Sequence, residues 1–310
     1  MATAIGVRSP FFAYYSLATA ATGTLSLTIS GTLRYTITKD VVPGTTMATF
    51  DISELVRDYI QPLYDGTIVA TDCGAVAISY TIELFNSGGT SLGTDTQTYD
   101  AFDAYQYYYN GNNYNLPTGA LVTGLDLWVP EGQGGIVFTN SGSSVTTVSF
   151  SGSDSTVPTT TVGINRFPCG RYGNYPLTFI NRFGVHQQMW FTAKTVNSLS
   201  VKGSEFKSKY NASNGGINGY RHQYQQYDRN GIRQYTLNSD YITADIDDIN
   251  NQLQELMLSE YVWIDDADLG FPVPVNLITS NVTFKTGLND RLVSYQVVVE
   301  QAFDLISTGR

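Results

Sequence analysis

Residues 24–30 read TLSLTIS, and this stretch decides the fold class. Leu25, Leu27 and Ile29 alternate with small hydroxyl residues, which is the two-residue period of a strand with one buried face. A turn at Gly31 follows, and residues 33–38 repeat the alternation. Together the two segments predict a β-hairpin that packs one face against a core.

Similar strand patterns recur outward from this hairpin. Residues 75–85 form a long run of β-branched and aromatic residues, and shorter candidates follow, separated by Gly, Asn and Ser. These candidates lie at residues 121–129, 135–139, 145–150, 176–182, 186–193, 198–201, 232–237, 261–264, 273–278, 281–285 and 292–302. Many short strands with turn signals between them are typical of a sandwich or barrel, and their succession does not alternate with helices as in a parallel α/β sheet.

Two segments depart from the strand pattern. Residues 53–60 predict a short helix, with Ser53 as its cap and Pro62 ending it. Residues 245–258 predict a longer helix with one apolar stripe, formed by Ile246, Ile249, Leu253, Leu256 and Met257. Its first turn is acidic, as the helix dipole favours, and contains Asp245, Asp247 and Asp248.

The domain organisation follows from length and from one polar segment. Residues 151–161 read SGSDSTVPTTT, have no apolar period and predict a linker. The length of 310 residues suggests about two domains. We therefore predict a mainly β protein with two β-sandwich-like domains: an N-terminal one over residues 1–155, and a β-rich C-terminal one over 156–310 with a single flanking α-helix near 245–258.

Composition excludes several classes of protein. Charged residues make up 14% of the chain and aromatic residues 13%, with 22 tyrosines, which disagrees with disorder and with a coiled coil. The net charge of −10 and the scattered lysines and arginines argue against nucleic acid as the main partner. No apolar run of about 18 residues occurs, so no membrane insertion is expected. What remains is a β-rich surface of hydroxyls, amides and tyrosines, as found in assemblies and carbohydrate binders.

The two cysteines, Cys73 and Cys169, are too few and too far apart for a zinc site or a disulfide framework. We interpret them as two buried thiols, and a single bridge between them is the alternative. At the N-terminus, Arg8 before the apolar residues 11–21 loosely resembles a secretory signal peptide. Pro10 and the polar residues within the stretch argue against that interpretation.

The sequence offers little that indicates catalysis. It has no phosphate loop, dinucleotide fingerprint or metal-ligand cluster, so we expect no cofactor. His186 and His222 are the only histidines, and no nucleophile elbow is present. The acidic residues at 265–268 do not predict a glycosidase pair, because neighbouring strand residues face opposite ways. We expect this group to be a solvated turn, with a Ca²⁺ site as the alternative. We predict a protein that is not an enzyme, and keep a polysaccharide-degrading β enzyme as a third hypothesis.

Two tyrosine clusters are the candidate binding residues. The first lies in residues 102–115 (FDAYQYYYNGNNYN) and the second in residues 220–227 (YRHQYQQY). Sugar-binding sites use aromatic platforms beside amides and carboxylates, whereas subunit interfaces use tyrosine because one end is apolar and the other is wet. We favour the interface and keep glycan binding as the alternative for Tyr105, Tyr107, Tyr108, Tyr109, Tyr114, Tyr220, Tyr224 and Tyr227.

A set of segments in order along the chain carries a family resemblance. They are RSPFF (8–12), TLSLTIS (24–30), YTITK (35–39), FDISELVRDYI (50–60), FINRFGVHQQMWF (179–191), LQELMLSEYVWI (253–264) and KTGLNDRLVSYQVVVEQAF (285–303). Together they resemble a family of tailed-bacteriophage tail and baseplate virion structural proteins. The match is weakest over residues 88–161.

This resemblance implies a structural function without a reaction. It implies a non-enzymatic component of a phage tail, at the tube end, baseplate or fibre-attachment region, which is synthesised in the bacterial host cytoplasm and resides in the virion. Its partners are then copies of itself in a symmetric oligomer and other tail proteins. The alternative is a host-receptor adhesin of the tail tip or fibre that binds host surface glycan. The resemblance also makes RSPFF part of the mature fold, against a signal peptide.

Overall fold

The computed structural model describes residues 3–42, 44–108, 111–169, 171, 173–207, 222, 224–239, 246–266, 269–284 and 294–306. In this part of the chain the fold is mainly β with two helices, which confirms the predicted fold class. The strands are β1 (Thr3–Gly6), β2 (Phe12–Ser16), β3 (Thr22–Ile29), β4 (Thr32–Asp40), β5 (Met47–Asp51), β6 (Val76–Phe85), β7 (Ser91–Phe102), β8 (Gly119–Ala120), β9 (Asp126–Pro130), β10 (Gly135–Asn140), β11 (Val145–Phe150), β12 (Gly163–Phe167), β13 (Tyr175–Ile180), β14 (His186–Phe191), β15 (Val196–Lys207), β16 (Tyr224–Asn238), β17 (Val262–Asp266), β18 (Phe271–Leu277) and β19 (Gln296–Gln301). The helices are α1 (Ser53–Arg57) and α2 (Ile246–Leu258), and a 3₁₀ turn covers Ala70–Cys73.

The N-terminal half is built on a five-stranded sheet of order β1-β7-β6-β3-β4. Leu25, Leu27 and Ile29 of β3 are fully buried, as their alternation predicts. Ser30 and Gly31 both have positive φ, and this two-residue loop joins β3 to β4. The antiparallel pair β2–β5 packs on one face of the sheet. Buried residues of this pair and of the sheet form one apolar core.

The predicted linker at residues 151–161 is packed against the middle of the chain. Val157 is completely buried and lies in an apolar cluster with Leu127, Val129 and Ile164. Its backbone is hydrogen-bonded within the segment's own neighbourhood: the Val157 N–H donates to the Val162 carbonyl over 2.9 Å. Strand β9 lies before residues 151–161 in the chain and β12 lies after them, and these two strands pair in parallel. The chain before the segment and the chain after it therefore contribute to the same sheet.

The C-terminal half is a seven-stranded sheet of order β14-β13-β17-β18-β19-β16-β15 with α2 packed on one face. Ile249, Leu253 and Leu256 of α2 are buried in its core, which confirms the predicted stripe over those positions. Asp247 and Asp248 lie in the first turn of α2, as predicted, while Asp245 lies outside the described residues. Asp248 also accepts the backbone N–H groups of Leu125 and Asp126, each over 3.2 Å.

Three details differ from the sequence predictions. Ser53 is the first residue of α1 and does not cap it, because its N–H and hydroxyl both donate to Asp51. Residues 281–284 form no strand, and β18, the strand before them, is already paired on both edges by β17 and β19. Strands β15 and β16 are far longer than the predicted 198–201 and 232–237.

The two halves share a core. Ala4 and Phe102 from the N-terminal half pack in one cluster with Ile180, Val185 and Trp263 from the C-terminal half. Ion pairs close the edge of this junction. Arg57 binds both oxygens of Glu260 over 2.7 Å and Asp103 over 3.1 Å, while Arg8 lies 3.2 Å from Glu260.

Candidate functional site

The first tyrosine cluster lies in the loop between β7 and β8, which we call the tyrosine loop (residues 103–115). Backbone hydrogen bonds hold it to distant segments. The Tyr105 N–H donates to the Arg182 carbonyl over 2.8 Å, and the Gly6 N–H donates to the Tyr114 carbonyl over 2.9 Å. The Gln106 N–H donates to Ser9 Oγ over 3.0 Å. The loop is therefore attached to the N-terminal segment on one side and to the β13–β14 turn on the other.

The rings of the tyrosine loop contact one another and two arginines. Tyr105 and Tyr107 meet edge to face, with ring centroids 5.8 Å apart. The Arg8 guanidinium lies 4.9 Å from the Tyr105 ring centre, and that of Arg182 lies 5.8 Å from the Tyr107 ring centre. Tyr105, Tyr107 and Tyr114 border a shallow cavity of about 330 Å³ together with Arg182. The structure therefore brings three of the predicted tyrosines together.

A buried carboxylate, Glu255 of α2, lies beneath these rings with none of its side chain exposed. Tyr107 donates its hydroxyl proton to Glu255 Oε1 over 3.2 Å, and Thr123 donates its own to Oε2. The Arg182 N–H donates to Oε2 over 3.1 Å, and Arg182 Nε lies 3.4 Å from Oε1. Glu255 thereby joins α2, the tyrosine loop and the β13–β14 turn.

Burial dominates the electrostatics of this cluster. Desolvation raises the pKa of Glu255 above its usual range, while the bonds from Thr123 and Arg182 oppose that rise. Desolvation and the nearby Glu255 raise the pKa of Tyr105 to about 12 and raise that of Tyr107 further. Both tyrosines therefore keep their hydroxyl protons at neutral pH.

Polar contacts extend the cluster into the turn between β13 and β14. Asn181 Oδ1 accepts the Phe183 N–H over 3.0 Å, and Asn181 Nδ2 donates to Gln187 Oε1 over 2.9 Å. Gln187 Oε1 also accepts the Thr123 N–H, and Thr123 leads back to Glu255. The segments 179–191 and 253–264, which carry part of the family resemblance, thus meet at one hydrogen-bond network.

The arrangement does not form a hydrolytic pair. Glycoside hydrolysis uses two carboxyl groups across a cleft, whereas Glu255 is wholly buried and bonded to donors of the fold. Among the described residues, no group of three or more His, Cys, Asp or Glu side chains could hold a metal ion. The hydrogen bonds of Glu255 attach the tyrosine loop to α2 and to the β13–β14 turn.

A buried thiol and imidazole form a second close pair. Cys73 Sγ lies 3.6 Å from His186 Nδ1, and both side chains are buried. Burial raises the pKa of Cys73 to about 12 and lowers that of His186 to about 4, so both are neutral at pH 7 and the thiol is unreactive. Both cysteines are free, but the prediction of two buried thiols is wrong for Cys169, which is exposed and donates to the Glu131 carbonyl.

The acidic group at residues 265–268 is another correction. Asp265 and Asp266 belong to β17, and Asp268 lies outside the described residues. Asp266 is buried, accepts the Tyr235 hydroxyl and lies 3.7 Å from Arg233. The prediction of a solvated turn is wrong for these two residues, because Asp266 is buried against Tyr235 and Arg233, while Asp265 is partly buried and accepts the Tyr64 hydroxyl over 3.3 Å.

The second tyrosine cluster lies on a hairpin arm. We call residues 202–207 and 224–229, the outer halves of β15 and β16, the distal ribbon. Tyr224 and Tyr227 are exposed there, and the Tyr227 ring lies 5.7 Å from that of Phe206. In the tyrosine loop Tyr108 is 90% exposed. Tyr109 and Tyr220 lie outside the described residues.

The sequence predictions missed the residues that organise the tyrosine loop, namely Glu255, Arg182 and Thr123. Gln252 and Glu255 of α2 lie beside its apolar stripe, where an amphipathic helix ordinarily carries polar residues. The burial of both residues is visible only in the structure, so the sequence carried no signal for Glu255.

Comparisons with known proteins identify no relative. Neither a scan against protein-family models nor searches of curated proteins and of solved structures found a match to this chain. In the described part of the chain, neither helix has the length and apolar character needed to span a membrane.

Proposed function

We propose that this protein is a non-enzymatic structural subunit of a bacteriophage tail, which assembles into a symmetric oligomer through the distal ribbon. The observation that carries the proposal is the exposure of both faces of that ribbon. Every residue of 202–207 and of 224–229 is exposed, although the two strands pair along this length with one irregularity between Lys202 and Ser204.

An isolated two-stranded ribbon is marginally stable in water. This one nevertheless carries large apolar groups, since Phe206, Tyr224 and Tyr227 are each about half exposed. Covering one such ring in an interface stabilises it by about 2 kcal/mol. Contact with neighbouring subunits therefore supplies what the ribbon lacks within a single chain.

The edge of the sheet supports the same proposal. Strand β15 is the last strand of the seven-stranded sheet, and its outer backbone groups have no partner strand among the described residues. Val196, Leu199 and Val201 on this strand are also exposed. A long exposed edge strand is a template for strand addition by another chain.

Assignment to a phage tail is supported by the segments that resemble tail and baseplate proteins. The low charge agrees with assembly, because interfaces are enriched in tyrosine and depleted in lysine and glutamate. The non-enzymatic part of the proposal is supported by the character of Glu255, a single buried carboxylate fully engaged by the fold.

The oligomer is tested by measuring the mass of the purified full chain across a concentration series by light scattering. We expect an oligomer for the wild-type chain and a monomer for the double variant Phe206→Ser, Tyr227→Ser with an unchanged circular dichroism spectrum. Tyr108→Ser is the matched control, because it removes an exposed ring outside the ribbon and should leave the mass unchanged. A wild-type monomer at all concentrations, or an unchanged mass in the double variant, contradicts the proposal.

The location is tested on purified particles of the phage that encodes the chain. We expect the protein in the virion by mass spectrometry, and density for its seven-stranded sheet in a tail reconstruction. Its absence from intact particles contradicts the tail assignment while leaving self-assembly untouched.

We do not propose the tyrosine loop as the glycan-binding site of the adhesin alternative. Tyr105, Tyr107 and Tyr114 serve contacts within the chain, and of the tyrosines described there only Tyr108 presents most of its ring to solvent.

A further inference from the structure

Strand β7 carries polar side chains on a face that should be apolar. Asp95, Gln97 and Tyr99 alternate along it, and each pairs across the ladder with a buried residue of β6, respectively Ile82, Tyr80 and Ile78. Directly paired residues point to the same side of a sheet, so the polar groups face the side of the N-terminal core. A break in the binary pattern at such positions is expected where a sheet serves function.

The neighbouring elements leave this part of the face uncovered. Strand β1 pairs with β7 only from Tyr99 to Phe102, so the preceding half of β7 has no second neighbour among the described residues. A cleft of about 480 Å³ lies there, bordered by Asp95, Gln97 and Tyr99 together with Tyr14 and Asn113. This volume is within the range of small-molecule sites.

A second cleft continues beyond Tyr14. It measures about 550 Å³ and shares Tyr14 and Asn113 with the first, while Phe12 and Met47 form its apolar wall. Tyr14 therefore lies between two adjacent hollows, and the residue is 58% exposed. Such a pair of hollows fits an extended ligand of more than one unit.

The aromatic side chains are held in place before any ligand arrives. Tyr99 stacks on Tyr80 with ring centres 5.9 Å apart and a 23° angle between the planes. Phe11 meets Tyr99 edge to face at 5.5 Å. Rings fixed in this way lose little conformational entropy on binding.

The polar groups are oriented as well. Gln97 Nε2 donates to both oxygens of Asp95, over 3.1 and 3.3 Å, which leaves further lone pairs of the carboxylate for a ligand. The Asn113 amide is fixed by the backbone of Phe12, accepting its N–H over 2.7 Å and donating to its carbonyl over 2.8 Å.

The composition of the cleft selects the class of ligand. None of the described residues that border the two hollows is a lysine, arginine or histidine, so no cation is present to bind a phosphate or an acidic sugar. Aromatic faces suit the C–H faces of a sugar ring, and a carboxylate beside amides suits hydroxyl groups, which donate and accept. We propose that the clefts on either side of Tyr14 bind a neutral saccharide of two or more units.

The test begins with the full-length chain on a glycan array that carries neutral hexose, N-acetylhexosamine and acidic glycans. The neutral glycan bound most strongly is then measured by isothermal titration calorimetry, which reports the affinity per site and removes the avidity of an oligomer. The variants are Tyr14→Ala and Asp95→Asn, and Tyr108→Ala is the control with an equally accessible ring elsewhere. Circular dichroism confirms that each variant is folded.

We expect binding of neutral glycans that weakens at least tenfold in both cleft variants and stays unchanged in Tyr108→Ala. The proposal is overturned if the wild-type chain binds no neutral glycan, binds acidic glycans only, or keeps its affinity in both cleft variants. A shift of oligomer mass in Tyr14→Ala without any glycan binding would identify the cleft as a subunit contact instead. The ribbon variant Phe206→Ser, Tyr227→Ser should keep its affinity per site, so failure of assembly and failure of glycan binding are distinguishable.

Discussion

Tyr107 in the tyrosine loop and Tyr227 in the distal ribbon are the same residue type in similar stretches of sequence, with 38% and 52% of the residue exposed. Their contacts are nevertheless opposite. The Tyr107 hydroxyl donates to a fully buried carboxylate, whereas the Tyr227 ring contacts Phe206 on a ribbon that is exposed on both faces. Tyrosine content therefore indicates neither packing nor recognition until the partner of each hydroxyl is known.

The largest expected effect comes from removing the centre of the loop cluster. Glu255→Ala should lower the free energy of unfolding by about 3 kcal/mol, because Tyr107, Thr123 and Arg182 lose a buried acceptor. Urea unfolding of the full chain measures this loss. Glu205→Ala on the ribbon is the matched control and should leave the midpoint unchanged. An equal loss of stability in Glu255→Ala and Glu205→Ala would contradict the prediction that the loop cluster stabilises the fold and the ribbon does not.

The next effect concerns local opening. In the unassembled chain, amides of residues 202–207 should exchange with solvent about a hundredfold faster than the Tyr105 amide, which is held by the Arg182 carbonyl. Hydrogen exchange read out by mass spectrometry compares peptides from the two regions. Assembly should slow exchange in the ribbon and leave the loop unchanged. Equal protection of both regions in the monomer would contradict this prediction.

A single hydroxyl gives a smaller and cleaner comparison. Tyr107→Phe removes the donor to Glu255 and should cost about 1 kcal/mol of stability. Tyr227→Phe removes a hydroxyl from an exposed ring and should leave the unfolding midpoint where it was. Thermal or urea unfolding of the two variants measures both changes in stability. A larger loss of stability in Tyr227→Phe than in Tyr107→Phe would contradict the prediction that only the Tyr107 hydroxyl stabilises the fold.

The smallest expected effect is a change in how the free energy of unfolding varies with pH. Because the pKa of Glu255 is raised in the folded state, the folded chain holds that proton more tightly than the unfolded chain does. This residue therefore stabilises the fold at low pH and loses that contribution as pH rises above 4.5, the ordinary value for glutamate. Glu255→Gln should remove this part of the slope. A wild-type advantage over the variant that grows with pH would contradict the sign.

The sequence predicted strands best where one face of a strand is buried. Leu25, Leu27 and Ile29 alternate because β3 has a core on one side, and the stripe of α2 is visible for the same reason. The distal ribbon has no buried face, so its residues show no alternation. For that reason the sequence predicts only residues 198–201 of β15 and 232–237 of β16, although both strands extend well beyond these segments.

The candidate site was predicted in part. A local cluster of tyrosines is visible in the sequence, but the partner of Tyr107 lies 148 residues away along the chain and that of Thr123 lies 132 residues away. Contacts over such distances leave no periodic signal. Asp95 and Gln97 were missed for a related reason, because their inward orientation is known only from their pairing with β6.

The ion pair between Arg57 and Glu260 joins residues 203 positions apart, and this separation sets an order of events on the ribosome. At about 5–20 residues per second, roughly 10–40 s pass between the synthesis of one partner and that of the other. During that interval the N-terminal sheet has its own core, while the shared cluster that contains Ala4 and Phe102 still lacks Trp263. Synthesis of residues 260–263 thus completes the junction, and nascent chains truncated before α2 should expose this apolar surface to chaperones.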